Sequence, residues 1–528
     1  MSELVSRPGQ PPLLETAPSV AERLRGLAAN PLVRAVAVPV LLLALTLAIR
    51  AFAFRSSVID TDEGLYLLQA REWLRGGWPY VAVWDMHPVG APALFAVALT
   101  LFGKSIMTIR LLGALCVAGT AWLTFRTVRV LHGPRIVALS AAVLYIAHSV
   151  LLGGLASNTE ILFAPFVSGA MFLGVRAAVQ ATQGGLAPRW RDLVAMGLLM
   201  GVALTIKPVV TPLGCLAFAF LVVPAWWSGA LPWRRAAGMA LAYAGLCALP
   251  TVLFGLAYAA RGDFQAFLYG SFLAPLAYAG GAVSAAEAWA RIRDAGLDLL
   301  WLLLLSLVPL LGLRGRSLNN PATLLVGMAL LWLVAAALAV AGPGMWFNHY
   351  FVILLAPLAI LAAMGAWALA WKLRPGLALP VFAGLVGAVC IHAWAIDSLP
   401  RLERGWEAPD PPRQVAEIIR QQIRRGEPIF IANYHPAVYV MSGAGVPTRF
   451  AFPGHLTCAY DRVTGVDADA EVNRILASRP RIIVVDRGWW RSMRRRVRAN
   501  IATTLRRSYV KVAEVQEVAG MVEIWRRL

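Results

Sequence analysis

Charge is scarce in this chain: only 14% of its 528 residues are Asp, Glu, Lys or Arg, where a soluble domain carries nearer a quarter. Beside a hydrophobic share of 59%, that shortage excludes an ordinary soluble protein. Acidic groups are the scarcer sign, 28 against 48 Lys and Arg, which leaves a net charge of +20. The basic surplus lies between apolar runs and in the C-terminal part, with no nucleic-acid motif beside it, so nucleic acid is not an expected partner. Membrane lipids with anionic head groups, or phosphate-bearing lipid substrates, are. Cysteine is scarce as well. Its five residues follow neither a metal nor a CxxC spacing, and four of them (Cys116, Cys215, Cys247, Cys390) fall in apolar runs, so no disulfide framework is implied.

Long apolar runs fill the space. A membrane span takes roughly 20 apolar residues. Candidate spans cover residues 35–54, 107–125, 136–152, 161–179, 193–209, 210–227, 237–260, 297–313, 322–341, 351–371 and 377–396. The fold class expected is a polytopic α-helical membrane protein of about 11–13 spans, followed by an extracytosolic α/β domain. Residues 1–34, polar and Pro-rich with no signal-peptide pattern, read as a cytosolic tail. Residues 35–397 form the membrane domain and 398–528 the outer one.

Short-loop Lys and Arg set the orientation. They cluster at Arg126/Arg129/Arg135, Arg189/Arg191, Arg234/Arg235, Arg314/Arg316 and Lys372/Arg374, the expected cytosolic side. Ser157–Glu160, Lys207, Trp346–Tyr350 and everything after residue 397 then fall outside. Parity makes the short run 89–103 interfacial or re-entrant, within one long outer loop, 55–106. In the outer domain, helical periodicity marks 411–425, and Ile429–Ala432, Arg481–Asp486 and Tyr509–Ala513 read as strands.

Against so little charge, three carboxylates in four residues, Asp60-Thr-Asp62-Glu63, stand out just after the first apolar run. Charge is costly beside a bilayer and points to function. A second polar knot, Trp84-Asp85-Met86-His87-Pro88, lies on the same loop. Together with Tyr66, Ala70-Arg71-Glu72, Gly76-Gly77-Trp-Pro79-Tyr80 and Phe102-Gly103…Arg110-Leu111, these knots resemble the first outer loop of the GT-C membrane glycosyltransferases. The resemblance is to bacterial relatives of protein O-mannosyltransferase and lipid A aminoarabinose transferase. Asn158-Thr-Glu160, Thr205-Ile-Lys207-Pro208 and His349-Tyr350-Phe351 follow in the family's order. Val89 replaces the second proline of the family's pattern, and His87 stands where many relatives have Lys.

The resemblance implies sugar transfer from a polyprenyl-phosphate donor, with inversion, to a glycolipid, polysaccharide or protein acceptor at the outer face of a bacterial inner membrane. Asp62 holds the position of the general base that the acceptor hydroxyl needs. Glu63 orients or binds the acceptor, and Asp60 supports the site or simply caps a helix. His87, Lys207 and Arg110 are candidate contacts to the donor phosphate, with a structural ion pair the alternative for Arg110 and a snorkelling side chain that for Lys207. Tyr66, Asp85, Asn158, Glu160, His349 and Tyr350 are candidate substrate contacts; Asn158 and Glu160 could equally cap a loop, and Tyr350 anchor the interface. Asp85 could hold the His87 imidazole or join a metal site, though no spacing argues for a metal. In the outer domain Asn433, His435, Tyr439, Arg449 and His455 could shape an acceptor cleft. A flippase for a lipid-linked sugar is the rival reading; it would need polar groups spread through the spans.

Overall fold

The computed structural model describes residues 31–279, 281, 283–311 and 320–528. The cytosolic tail proper and the Arg314/Arg316 cluster lie outside the described residues. Every expected apolar run is helical where described. The first is α1 (Pro31–Ile49), and the outer loop adds α2 (Thr61–Trp73) and α3 (Gly90–Phe102). Then come α4 (Ile106–Val130), α5 (Arg135–His148), α6 (Thr159–Gly184), α7 (Trp190–Ile206), α8 (Thr211–Trp227) and α9 (Trp233–Ala260). A stretch of short helices over 264–279 leads to α10 (Ala285–Asp298) and α11 (Leu300–Leu311), which meet at a bend of 78°. The membrane part closes with α12 (Pro321–Ala341), α13 (Leu355–Leu373) and α14 (Ala378–Glu403).

Among the described residues seven helices are long and apolar enough to cross a membrane, or eight if the bent pair is one span. The chain is a multi-pass membrane protein. Buried positions make up 72% of the apolar window in both α6 and the helix ending in α13, but only 17% in α9 and 22% in the helix ending in α14. The first two form the centre, and the last two present apolar side chains outward, as a lipid-facing wall does. Helix α3 has 13 residues. At 1.5 Å per residue it reaches about 20 Å, short of the ~30 Å hydrocarbon core, which fits the interfacial or re-entrant run expected for 89–103.

Local chemistry starts the helices where the site needs them. The Asp60 carboxylate caps α2 by accepting the Asp62 backbone N–H at 2.9 Å. Asn158 caps α6 by accepting the Ile161 N–H at 3.1 Å. Gly90 lets α3 lie against the end of α7: a Cβ there would sit 2.5 Å from the Thr205 backbone, two residues before Lys207.

The outer domain carries α15 (Pro411–Arg420), β1 (Phe430–Ile431), β2 (Ile482–Asp486), a basic helix (Arg495–Ser508), β3 (Tyr509–Glu517) and β4 (Gly520–Arg527). Its sheet runs β1-β2-β4-β3, parallel between β1 and β2 and antiparallel elsewhere. The three strands expected from sequence are present; β4 is the addition. The domain does not stand apart from the outer loop. Leu65, Leu68 and Val83 of the loop are buried in one cluster with Val415, Ile431, Val484 and Ile524. Arg71 donates to the Tyr439 and Ala444 carbonyls at 2.6 and 3.0 Å, and the Trp84 N–H to the Arg449 carbonyl at 2.7 Å.

Candidate active site

Successive helical residues point about 100° apart, so Asp62 and Glu63 at the start of α2 face different neighbours. Glu63 is buried and pairs with the Arg110 guanidinium of α4, which is 1% exposed. Its other oxygen accepts the Ser157 N–H at 3.0 Å, and Arg110 also reaches the Ser56 carbonyl at 3.3 Å. These two residues, expected at the acceptor and at the donor phosphate, are brought to each other in a closed structural pair. The pairing serves packing: a carboxylate and a guanidinium sealed together neutralise each other where neither could stand alone.

Asp62 is different. It is half-buried, and among the described residues its carboxylate has no hydrogen-bond partner. Tyr66, one turn further along α2, lies on the same face and meets the His87 ring edge-on, with centroids 6.0 Å apart. Burial, and next the Asp60 charge, push the Asp62 carboxyl up to about 7, with His87 pulling the other way. A carboxyl at that value exchanges its proton near neutral pH.

His87 and Asp85 form the second knot. Asp85, 1% exposed, accepts its proton partner His87 Nδ1 at 2.9 Å and the Met86 N–H at 2.7 Å. Burial alone would raise the Asp85 carboxyl, but the imidazole beside it holds it below the usual carboxylate range. Burial likewise opposes the imidazolium, and Asp85 outweighs it, carrying the His87 pKa above its ordinary value. The pair orients the ring and leaves Nε2 as a charged donor. Asp85 therefore takes the imidazole-holding place that its spacing suggested.

Lys207, at the end of α7, is also buried. Its Nζ lies 2.5 Å from Glu160 Oε1 and 3.9 Å from the centroid of the Tyr350 ring. Glu160 takes a further bond from Thr159 Oγ1 at 2.8 Å. His349 stacks on Phe347, with rings 7° from parallel, and meets Tyr350 edge-on at 4.9 Å. His87, Lys207 and Tyr350 line one cavity of about 340 Å³, together with Pro88, Pro208 and Tyr278. A neighbouring cavity of about 360 Å³, almost wholly apolar, shares Pro88 and Pro208. The result is an apolar trough with two cations at its head. Asn158 is kept for capping, its Nδ2 held on the Gly153 carbonyl at 3.3 Å. Among the described residues no cluster of three His, Cys, Asp or Glu is arranged to hold a metal ion.

Sequence reasoning missed Tyr80 and the segment 264–279. Tyr80 sits at φ +67°, and its hydroxyl meets Ser271 Oγ at 2.8 Å and donates to the His87 carbonyl at 2.9 Å. That contact fixes the backbone of the second knot against the short helices. The Gly76-Gly77-Trp-Pro79-Tyr80 motif was visible, but its partner lies 191 residues away. In the outer domain Asn433 clamps the Asp486 backbone, accepting its N–H at 2.8 Å and donating to its carbonyl at 2.7 Å. Tyr439 receives the Ile431 N–H at 3.0 Å. His435 meets Thr61 Oγ1 at 3.4 Å, Arg449 lies over the Phe450 ring, and His455 packs edge-on against Trp84. Burial pushes His455 down to about 4.

A family model described as dolichyl-phosphate-mannose-protein mannosyltransferase matches residues 86–254. The match takes in His87, Arg110, Asn158, Glu160 and Lys207, and begins after the Asp60–Glu63 cluster. The whole architecture is similar to that of ArnT from Cupriavidus metallidurans bound to undecaprenyl phosphate, with a TM-score of 0.62 over 93% of this chain and 98% of that one at 16% identity. The chain has the GT-C fold. The apo state of the same ArnT matches at 0.56 over 92% and 97%, with 18% identity. A third GT-C structure, the archaeal oligosaccharyltransferase AglB from Archaeoglobus fulgidus in complex with an inhibitory peptide and a dolichol-phosphate, gives 0.50 over 92% and 74% at 12% identity. No curated protein matches the chain by sequence. The resemblance expected from the outer-loop motifs thus holds for the GT-C fold as a whole, outer domain included.

Proposed function

We propose that this chain is a glycosyltransferase that moves a sugar from a polyprenyl-phosphate donor to an acceptor at the outer face of a bacterial inner membrane. The observation that carries the reading is the Asp62 carboxyl: without a hydrogen-bond partner among the described residues, poised near 7, and close enough to His87 and Lys207 to feel their charges. A general base must be able to take a proton near the working pH. Asp62 takes it from the acceptor hydroxyl as the anomeric bond breaks, and the acceptor attacks from the face opposite the departing phosphate, with inversion. His87 Nε2 and Lys207 Nζ hold the phosphate, and the charge that builds on it in the transition state is met by these two cations. The trough beside Pro88 and Pro208 takes the first isoprene units.

Asp85, Glu160 and Tyr80 act as positioning residues: the first two orient the cations, the third the loop backbone. The relatives add support, since ArnT is named as bound to undecaprenyl phosphate and AglB as bound to dolichol-phosphate. Glycolipid, polysaccharide and protein remain the three acceptor classes. The flippase alternative fares worse, because Glu160 and Lys207, the charged pair of the site, lie at the same end of the two helices that carry them and do not follow a path between them. The test is transfer by purified protein from radiolabelled polyprenyl-phosphate sugars to membrane-lipid, glycan and protein acceptors. Label appearing in an acceptor with wild-type protein and not with Asp62→Asn supports the reading. Movement of intact lipid-linked sugar across vesicles, with no transfer from any donor, would overturn it.

A further inference from the structure

A separate cleft of about 630 Å³ opens between the C-terminal half of α2, the start of α4 and α15 of the outer domain. Six cations line it: Arg71, Arg75, Lys104, Arg413, Arg420 and Arg425. Three carboxylates answer them. Glu72 serves Arg71 and Arg75, Glu417 serves Arg420, and Asp410 lies 3.4 Å from Arg413 while also accepting both the N–H and the hydroxyl of Ser57. Lys104 and Arg425 have no carboxylate within 4 Å among the described residues. Apolar side chains, Leu67 and Leu99 among them, form the floor. At the mouth, Lys104 is flanked by Leu101, Phe102 and Met107, which are 70%, 53% and 47% exposed. Such side chains belong against acyl chains, so the cationic cleft opens onto the lipid surface and not only onto water.

We propose that this cleft binds the phosphate headgroup of an anionic glycerophospholipid, with Lys104 and Arg425 closing on the phosphate and the apolar floor taking the upper acyl chain. The lipid would join the C-terminal end of α2 to the outer domain, beside the two Arg71 bonds that already do so. Since Asp62 stands at the other end of α2, bound lipid stiffens the mount of the candidate base. Polybasic sites gain about fivefold in affinity per cation from anionic lipid.

The test needs no substrate. The full chain, purified in detergent, is incubated with a mixture of phosphatidylglycerol and phosphatidylcholine and washed, and the retained lipid is counted by mass spectrometry while thermal unfolding is followed. Wild type should keep phosphatidylglycerol preferentially and unfold at a higher temperature in its presence. Lys104→Gln/Arg425→Gln should lose that preference roughly 30-fold, with lipid-free unfolding unchanged, and Lys104→Arg/Arg425→Lys should keep it. Lys104→Gln alone, at an exposed site, should move the preference the same way. Equal retention of the two lipids by wild type, or wild-type retention by the Gln double variant, would overturn the proposal.

Discussion

Glu63–Arg110 and Glu160–Lys207 are the same chemistry twice: a carboxylate at the start of a helix, a cation 47 residues later, and both side chains at most 7% exposed. What separates them is access. Arg110 is closed in by Glu63 and the Ser56 carbonyl, and its side chain is 1% exposed. Lys207 has Glu160 on one side, the Tyr350 ring on another and the His87 cavity on a third. A buried ion pair is therefore no sign of a site in itself; an open side is. Asp62 lies beside one pair in sequence and beside the other in the proposed function, and among the described residues no Lys, Arg or His forms an ion pair with it.

The comparison breaks most readily at Asp62. Asp62→Asn should lower transfer by about 10²–10⁴-fold or more, with the same unfolding temperature or a higher one, measured by single-turnover transfer and calorimetry. Next comes the closed pair. Glu63→Gln should cost about 3–5 kcal/mol of stability by stranding Arg110, while Glu63→Leu with Arg110→Met should recover most of it; denaturation of the three proteins checks this. Recovery of transfer per folded molecule in that double variant separates packing from chemistry. Lys207→Met strands Glu160 in the same way, so the informative variant is Lys207→Met with Glu160→Gln. It should fold, yet bind the donor roughly tenfold or more weakly, the loss of one charge-assisted contact, in a titration with labelled polyprenyl phosphate.

The pH dependence gives a gentler test. The Asp62 carboxyl rises from 3.8 to about 7 on folding. Protonated Asp62 is thus favoured in the folded state, and that stability is full below about 4 and lost as pH rises to about 7. Wild type should weaken relative to Asp62→Asn across that interval, while its transfer rate climbs through about 7, read from paired melting curves and pH–rate profiles. Smallest of all, Asn158→Ala should cost about 1 kcal/mol, the loss of a helix cap, with little change in transfer per folded molecule.

The membrane part was legible because apolar runs announce themselves locally; each expected run is helical where described, and the short run 89–103 forms a helix too brief to cross. The cap at Asp60 and the Asp85–His87 contact were also within reach, since both partners lie two residues apart. Pairings across distance were not. Nothing near Glu63 says that Arg110 will seal it, and nothing near Tyr80 says that Ser271 will meet its hydroxyl. The segment 264–279 carries no single period, breaking into α and π turns, so nothing local marks it as an element. β4 (Gly520–Arg527) escaped although it has 8 residues, because the turn before it, Val518-Ala519, lacks the Asn-Gly or Asp-Gly signal that announces a hairpin.

At Gly64 a Cβ would stand 3.0 Å from the Ala437 backbone nitrogen, so α2 lies flush on the outer domain, two residues from Asp62. A chimera that exchanges residues 398–528 for those of a relative, in the hope of redirecting the acceptor, would thus inherit a mismatched floor under its own catalytic helix. The exchangeable unit of this protein is the outer domain together with loop 55–106, cut from the rest of the chain on either side of both.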